Sequence, residues 1–224
     1  MACLGKVLLL QRQFEEAEPL LRESFNLRKQ TLGERHPDTL ISLNDLSNVL
    51  YQTSRIDESM RLSQQHLNLC EERFGLHHPE TLSSVNNLAV LFDMQGHFDK
   101  AERLYRRAVQ DLRQSLGESH PHTLYSMKNF GVFLHKRGKL REAETHFRSA
   151  LDAAESKKPE NEVHPYVWQC TVHYADLLKD LGRFEEAMRL CKKALEAQRR
   201  TLGNEHPDVN ESVKILGSIT DAAK

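Results

Sequence analysis

Histidine and cysteine are the residue types in this chain best suited to metal binding or acid–base catalysis, and their spacing argues against both. The chain has 224 residues, of which 12 are histidine and 4 cysteine. Five histidines belong to His-Pro pairs that recur at intervals of 42, 42, 44 and 42 residues: His36, His78, His120, His164 and His206. A zinc ion needs its ligands within about 2 Å, so histidines a whole interval apart cannot share one. We expect each of them to act locally, in its own turn.

The short motifs of common catalytic and nucleotide-binding sites are also missing from the sequence. It contains no G-x-S-x-G, no H-E-x-x-H and no G-x-G-x-x-G. The cysteines, Cys3, Cys70, Cys170 and Cys191, form no C-x-x-C pair. Such widely spaced cysteines are typical of a reducing, intracellular compartment. We therefore predict a cytoplasmic protein that is not an enzyme, with no cofactor and no metal site.

The composition narrows the class of partner. The 31 Lys and Arg residues balance 32 Asp and Glu residues, for a net charge of −1. This balance removes the electrostatic basis for binding nucleic acid. No apolar run approaches the ~18 residues that a membrane-spanning helix requires. We expect a protein or peptide partner, no nucleic acid and no membrane.

A second set of positions shares the period of the His-Pro pairs and predicts paired helices. Five large apolar residues are each followed three positions later by a small residue. The pairs are Phe14/Ala17, Ile56/Ser59, Phe98/Ala101, Leu140/Ala143 and Phe184/Ala187. After each proline, apolar residues follow at helical spacing, as in Leu43, Leu46 and Leu50. Each repeat therefore predicts a first helix that begins at its proline and a second helix that begins at the large apolar residue.

A single helix pair cannot bury its apolar stripe, so stacking of neighbouring pairs must provide the core. We predict an all-α solenoid whose first helices form a concave inner wall. Its units cover about 1–35, 36–77, 78–119, 120–163 and 164–205, followed by a capping helix at 207–223. We expect looser packing in the second unit, where Ser59, Ser63 and His66 replace apolar or small residues.

The repeat resembles a known family. The segment Gly96-His97-Phe98-Asp99-Lys100-Ala101, followed by Tyr105 and Ala108, resembles a tetratricopeptide repeat. The 42-residue version, best seen in residues 74–92 (FGLHHPETLSSVNNLAVLF), is similar to the repeats of kinesin light chains. The resemblance implies a right-handed superhelix of about five helix pairs that serves as a protein-interaction platform. Kinesin light chains also carry a heptad coiled coil, which this sequence lacks, so association with a motor is not implied.

The first-helix positions opposite the buried stripe define a candidate peptide groove. Its residues are Asn44, Asn48, Tyr51, Asn86, Asn87, Asp93, Lys128, His135, Asp176 and Lys179. Asparagine suits such a groove because its amide both donates and accepts hydrogen bonds, as a peptide backbone does. An alternative is that some of these asparagines bond a neighbouring helix or turn. Charges are mixed along the groove, with Asp45, Asp93 and Asp176 opposing Lys128, Lys136 and Lys179.

The predicted function is that of a non-catalytic scaffold or adaptor that binds an extended peptide segment of a partner in this groove. The sequence begins inside a first helix, which leaves the apolar residues Val7 to Leu10 uncapped. We therefore expect an N-terminally truncated chain, or self-association through this end. The same feature supports an alternative function, the sensor or autoinhibitory region of a larger signalling protein with a nucleotide-switch domain.

Overall fold

The computed structural model describes residues 2–156 and 165–224, and this part of the chain forms eleven α-helices and no strand. The helices are α1 (Ala2–Leu10), α2 (Phe14–Leu32), α3 (Pro37–Gln52), α4 (Ile56–Phe74), α5 (Pro79–Met94), α6 (Phe98–Leu116), α7 (Pro121–Lys136), α8 (Leu140–Glu155), α9 (Pro165–Asp180), α10 (Phe184–Leu202) and α11 (Pro207–Ala222). The odd-numbered helices from α3 onward are the first helices of the repeats, and the even-numbered ones are the second helices. Within the described ranges, no helix combines the length and the hydropathy of a membrane-spanning segment.

The His-Pro pairs start the first helices. His36 has an extended backbone, and its Nδ1 accepts a hydrogen bond from the backbone N–H of Asp38 at 3.2 Å. His78, His120 and His206 cap α5, α7 and α11 in the same way. The proline that follows lacks an N–H, which would have no partner inside the helix at this position. The local role expected for the histidines is confirmed for these four pairs, whereas His164 lies outside the described residues.

The turns from first to second helices need one residue with a left-handed backbone. Glycine provides it at Gly96, Gly138 and Gly182, whose φ angles are 77°, 72° and 73°. The two turns nearest the N-terminus use Arg12 and Ser54, each with φ of 60°. A side chain in this region costs roughly 1–2 kcal/mol that glycine does not incur. These two turns therefore hold a conformation that the surrounding packing must stabilise.

The chain divides into two compact units, residues 1–111 and 112–224. In the first unit, Leu43, Leu46 and Leu50 of α3 pack in one apolar cluster with Ala17 and Leu21 of α2. In the second unit, the largest fully buried side chains are aromatic: Phe130, Phe133 and Phe147. The first interior thus contains a cluster of leucine and alanine, whereas the largest buried side chains of the second are phenylalanine rings.

Three polar residues of α4 lie in the interior of the second repeat. Ser59 and Ser63 are buried, and both hydroxyls lie within hydrogen-bond distance of the Ser47 hydroxyl, at 3.1 and 2.6 Å. His66 is also buried, with its Nδ1 2.9 Å from the hydroxyl of Ser84. Hydroxyl and imidazole groups can be buried here because they satisfy each other's hydrogen bonds. The looser packing expected for this repeat stays a prediction.

Candidate functional site

A cleft of about 370 Å³ opens among helices α1, α3, α4 and α5 of the first unit. Its polar lining consists of Lys6, Asn44, Asp45, His66, Cys70, Glu80, Ser83, Ser84 and Asn87. Leu40 and Ile41 of α3 and Phe74 of α4 contribute apolar surface. Helical spacing explains why α3 presents these side chains together, since Ile41, Asn44 and Asp45 lie three or four residues apart on one face.

Two asparagines from successive first helices meet in this cleft. Nδ2 of Asn87 donates a hydrogen bond to Oδ1 of Asn44 at 3.1 Å, and both side chains are half-buried. An amide group has two N–H donors and an oxygen that accepts twice. Within the described residues, the Asn44 amide nitrogen and the Asn87 amide oxygen make no hydrogen bond. The pair can therefore donate to one peptide group and accept from another.

Asp45 places a buried carboxylate beside this pair. Its side chain is only 9% exposed, and within the described residues it accepts no hydrogen bond. Burial raises the pKa of this carboxyl group, and the charges of Lys6 and Arg28 only partly oppose the rise. Arg28 is already engaged, because its Nη1 donates to the carbonyl of Asp38 at 2.9 Å and to the hydroxyl of Ser42 at 2.7 Å.

His66 and Cys70, which both line the cleft, are in contact. Their arrangement resembles the nucleophile and general base of a catalytic pair. The sulfur of Cys70 lies 3.5 Å from Nε2 of His66. Burial lowers the pKa of His66 to about 4, and burial together with the charges of Glu80 and Glu71 raises the pKa of Cys70 to about 12. At neutral pH the pair is therefore an uncharged imidazole and a thiol, which lacks the nucleophilic thiolate that cysteine catalysis uses.

The six predicted groove residues of the first unit have different surroundings. Asn44 and Asn87 line the cleft, whereas Asn86 is 1% exposed and neither its amide nitrogen nor its oxygen has a partner among the described residues. Asn48, Tyr51 and Asp93 are half-buried on α3 and α5 and do not line the cleft.

The four predicted groove residues of the second unit make hydrogen bonds or ion pairs within that unit. Lys128 is 9% exposed; its ammonium donates to Oε1 of Gln169 at 3.3 Å and lies 4.8 Å from the ring centre of Tyr125. His135 bonds the carboxylate of Asp180 at 2.8 Å. Lys179 forms ion pairs with Asp176 at 2.7 Å and with Asp180 at 3.5 Å. His135 and Lys179 are thus paired with carboxylates, whereas Lys128 contacts a neutral amide and an aromatic ring.

Sequence reasoning did not place Asp45, His66, Cys70 or Ser84 in a site. In the sequence, Asp45 is one of several groove charges. Its position, eight residues after the helix-starting proline, holds Asn87 and Asn129 in the next two repeats. That substitution of an acid for an amide is the signal that could have identified it. No group of three His, Cys, Asp or Glu side chains in residues 2–156 and 165–224 is arranged to hold a metal ion.

Comparison with known proteins finds matches in families and in solved structures. The family described as "Tetratricopeptide repeat" matches residues 1–72, and the "MalT-like TPR region" matches residues 47–216. No curated protein matches the sequence significantly.

Three solved structures are similar in fold. BtubC (BKLC) from P. vanneervenii is 21% identical over 91% of this chain and 80% of its own, with a TM-score of 0.69. A putative kinesin light chain from Podosopora anserina with nearly identical TPR-like repeats is 23% identical over 89% of this chain and 93% of its own, with a TM-score of 0.66. A Rap protein complexed with competence and sporulation factor is 17% identical over 97% of this chain and 64% of its own, with a TM-score of 0.73. At these identities the likeness shows the fold, a helical repeat solenoid.

Proposed function

The chain belongs to the tetratricopeptide repeat family, and on this premise we propose that it is a non-catalytic scaffold that binds an extended peptide segment of a partner protein on its first helices. The family's fold is typical of protein–protein interaction scaffolds, and a Rap protein of similar fold was solved in complex with competence and sporulation factor. The first unit supplies the groove that we propose is used.

The main support for the proposal is the contact between Asn44 and Asn87 in the cleft of the first unit. Their mutual hydrogen bond fixes both amides and leaves the Asn44 nitrogen and the Asn87 oxygen unbonded among the described residues. An extended peptide presents N–H and C=O groups that need partners of both kinds. The pair can bond a peptide backbone without selecting its side chains.

The size and chemistry of the cleft support a short ligand segment and argue against catalysis. Its volume of about 370 Å³ lies at the lower end of the range for ligand pockets, about 300–1,000 Å³. It therefore suits a few residues of a peptide. Its only cysteine, Cys70, is held as a thiol by a pKa raised to about 12, which supports a binding role over a nucleophilic one.

The test is to pan the full chain against a displayed library of random short peptides and to measure retained peptides by isothermal titration calorimetry. Asn44→Ala and Asn87→Ala should each weaken binding roughly 3- to 10-fold, the value of one lost hydrogen bond. Asn26→Ala, at an exposed position on α2, is the matched control and should leave the affinity unchanged. If the library yields no retained peptide, or both variants bind like the parent chain, the proposal is wrong.

A further inference from the structure

The carboxylate of Asp45 has no partner of its own in a cleft that is open to a ligand. It is 9% exposed and accepts no hydrogen bond within the described part of the chain. Arg28 bonds a carbonyl and a hydroxyl instead, and Lys6 acts on Asp45 through its charge alone. An ionised carboxylate without a partner at such a position is costly, because burial removes part of its water and no hydrogen bond replaces it.

The repeat scaffold does not require an acid at this position. In the other first helices, the residue eight positions after the proline is Asn87, Asn129, His173 or Ile215. Helices with amide, imidazole and aliphatic side chains there adopt the same fold as α3. Packing alone therefore gives no reason for Asp45, and a role in binding does.

The other charges of the cleft favour a cationic group over an anionic one. Glu80 lines the same cleft, so among the lining residues there are two carboxylates and one ammonium, that of Lys6, while Arg28 adds a positive charge from outside the lining. His66 adds no positive charge at neutral pH, since burial lowers its pKa to about 4. A ligand carboxylate would meet like charges, whereas a guanidinium or ammonium group would replace the water that Asp45 has lost.

We infer that Asp45 forms a subsite for an arginine or lysine side chain of the bound segment, next to the backbone-binding pair Asn44 and Asn87. The inference rests on the proposed function, because it names the side chain that the peptide groove selects. The segment recognised by the first unit is thus a peptide with at least one basic residue. Arginine fits best, because its planar guanidinium can bond both oxygens of a carboxylate.

The experiment compares peptides retained by the full chain with those retained by Asp45→Asn. The parent chain should enrich Arg or Lys at one peptide position, and the variant should lose that enrichment. For one retained arginine peptide, exchange of arginine for neutral citrulline should weaken binding to the parent chain about 10- to 100-fold, as for a close charged pair. The same exchange should have little effect on Asp45→Asn, since the two changes remove one interaction.

Two further variants keep the result interpretable. Asp99→Asn removes an exposed acid from α6 of the same unit and should bind the arginine peptide like the parent chain. Lys6→Gln removes the competing ammonium and should strengthen binding of the arginine peptide. Because the Lys6 charge also lowers the pKa of Asp45, binding is measured well above the ordinary carboxyl pKa. The citrulline exchange is also measured on the unaltered chain, so that result does not depend on whether a variant folds.

The possible failures separate the two proposals. Retained peptides without Arg or Lys enrichment, or a citrulline effect of equal size on the parent chain and Asp45→Asn, would overturn the basic-residue subsite. If peptide binding still depended on Asn44 and Asn87, the proposed peptide groove would be retained and only the subsite would be rejected. A library that yields no retained peptide would overturn both.

Discussion

In the first unit α3 packs against α4, and in the second unit α7 packs against α8 at the same repeat positions. The side chains at these positions differ in kind between the two helix pairs. In α3–α4 the hydroxyls of Ser47 and Ser63 lie 2.6 Å apart and buried. In α7–α8 the equivalent residues are Gly131 and Phe147, and a Cβ on Gly131 would lie 2.8 Å from the Phe147 ring. One contact is a hydrogen bond between small side chains, and the other is an aromatic ring against bare backbone.

The faces of the first helices differ in a parallel way. In the first unit Asn44, Asn87 and Asp45 line a cleft and retain unused hydrogen-bonding capacity. In the second unit Lys179 and His135 are bonded to neighbouring carboxylates. The shared repeat therefore determines where the side chains lie, whereas the neighbouring residues determine whether their polar atoms remain available to a ligand.

The largest effect is expected for Gly131→Ala. The new methyl group would meet three ring atoms of Phe147 at 2.8 to 3.0 Å, and this ring is fully buried, so it can shift only by displacing its packed neighbours. We expect a loss of about 1–3 kcal/mol in the free energy of unfolding, typical of overpacking, despite the better helix propensity of alanine. The loss is measured by chemical denaturation, with unfolding monitored by circular dichroism.

Ser47→Ala is the matched control, because it changes the same repeat position in α3. Its Cβ is already accommodated, so only hydrogen bonds are lost, at a cost of about 1 kcal/mol. Adding Phe147→Leu to Gly131→Ala should restore part of the lost stability. A Gly131→Ala chain as stable as its parent, or less affected than Ser47→Ala, would show that the two helix pairs do not differ as described.

The sequence predicted the helices well because their signals are local. The His-Pro pairs mark the starts of α3, α5, α7 and α11, and the large apolar column marks the starts of the second helices. The sequence did not predict which individual polar side chains are buried and which line a cleft. Asn44 and Asn86 occupy equivalent positions, yet one lines a cleft and the other is buried. That distinction depends on which side chains of neighbouring helices surround each amide, and the repeat period does not encode it.

A smaller effect on stability is expected from Asp45→Asn, with a defined pH dependence. Because the folded-state pKa of Asp45 is raised, the folded chain holds this proton more tightly than the unfolded chain does. Its contribution to stability therefore falls as pH rises between the two pKa values. The neutral variant should be slightly more stable than the parent chain at neutral pH. The difference should vanish below the ordinary carboxyl pKa, where Asp45 is protonated in both states.

Thermal melts of both proteins from acidic to neutral pH provide the measurement. The charges around Asp45 are Lys6 of α1, Arg28 of α2 and Glu80 of α5, with His66 of α4 in the same cleft. Each is present in both proteins, so only the difference between the two melts reports on Asp45. A variant less stable than its parent at neutral pH would mean that the carboxylate has a stabilising partner within the chain.

Nuclear magnetic resonance can show whether the open amides of the first unit bind the ligand, as we propose. Asn87 on α5 and Asn129 on α7 occupy the same repeat position in the two units. Titration of the full chain with a peptide retained from the library should shift the side-chain amide signals of Asn44 and Asn87 and leave that of Asn129 in place. Shifts at Asn129 without shifts at Asn44 and Asn87 would mean that the ligand does not bind at the first-unit amides.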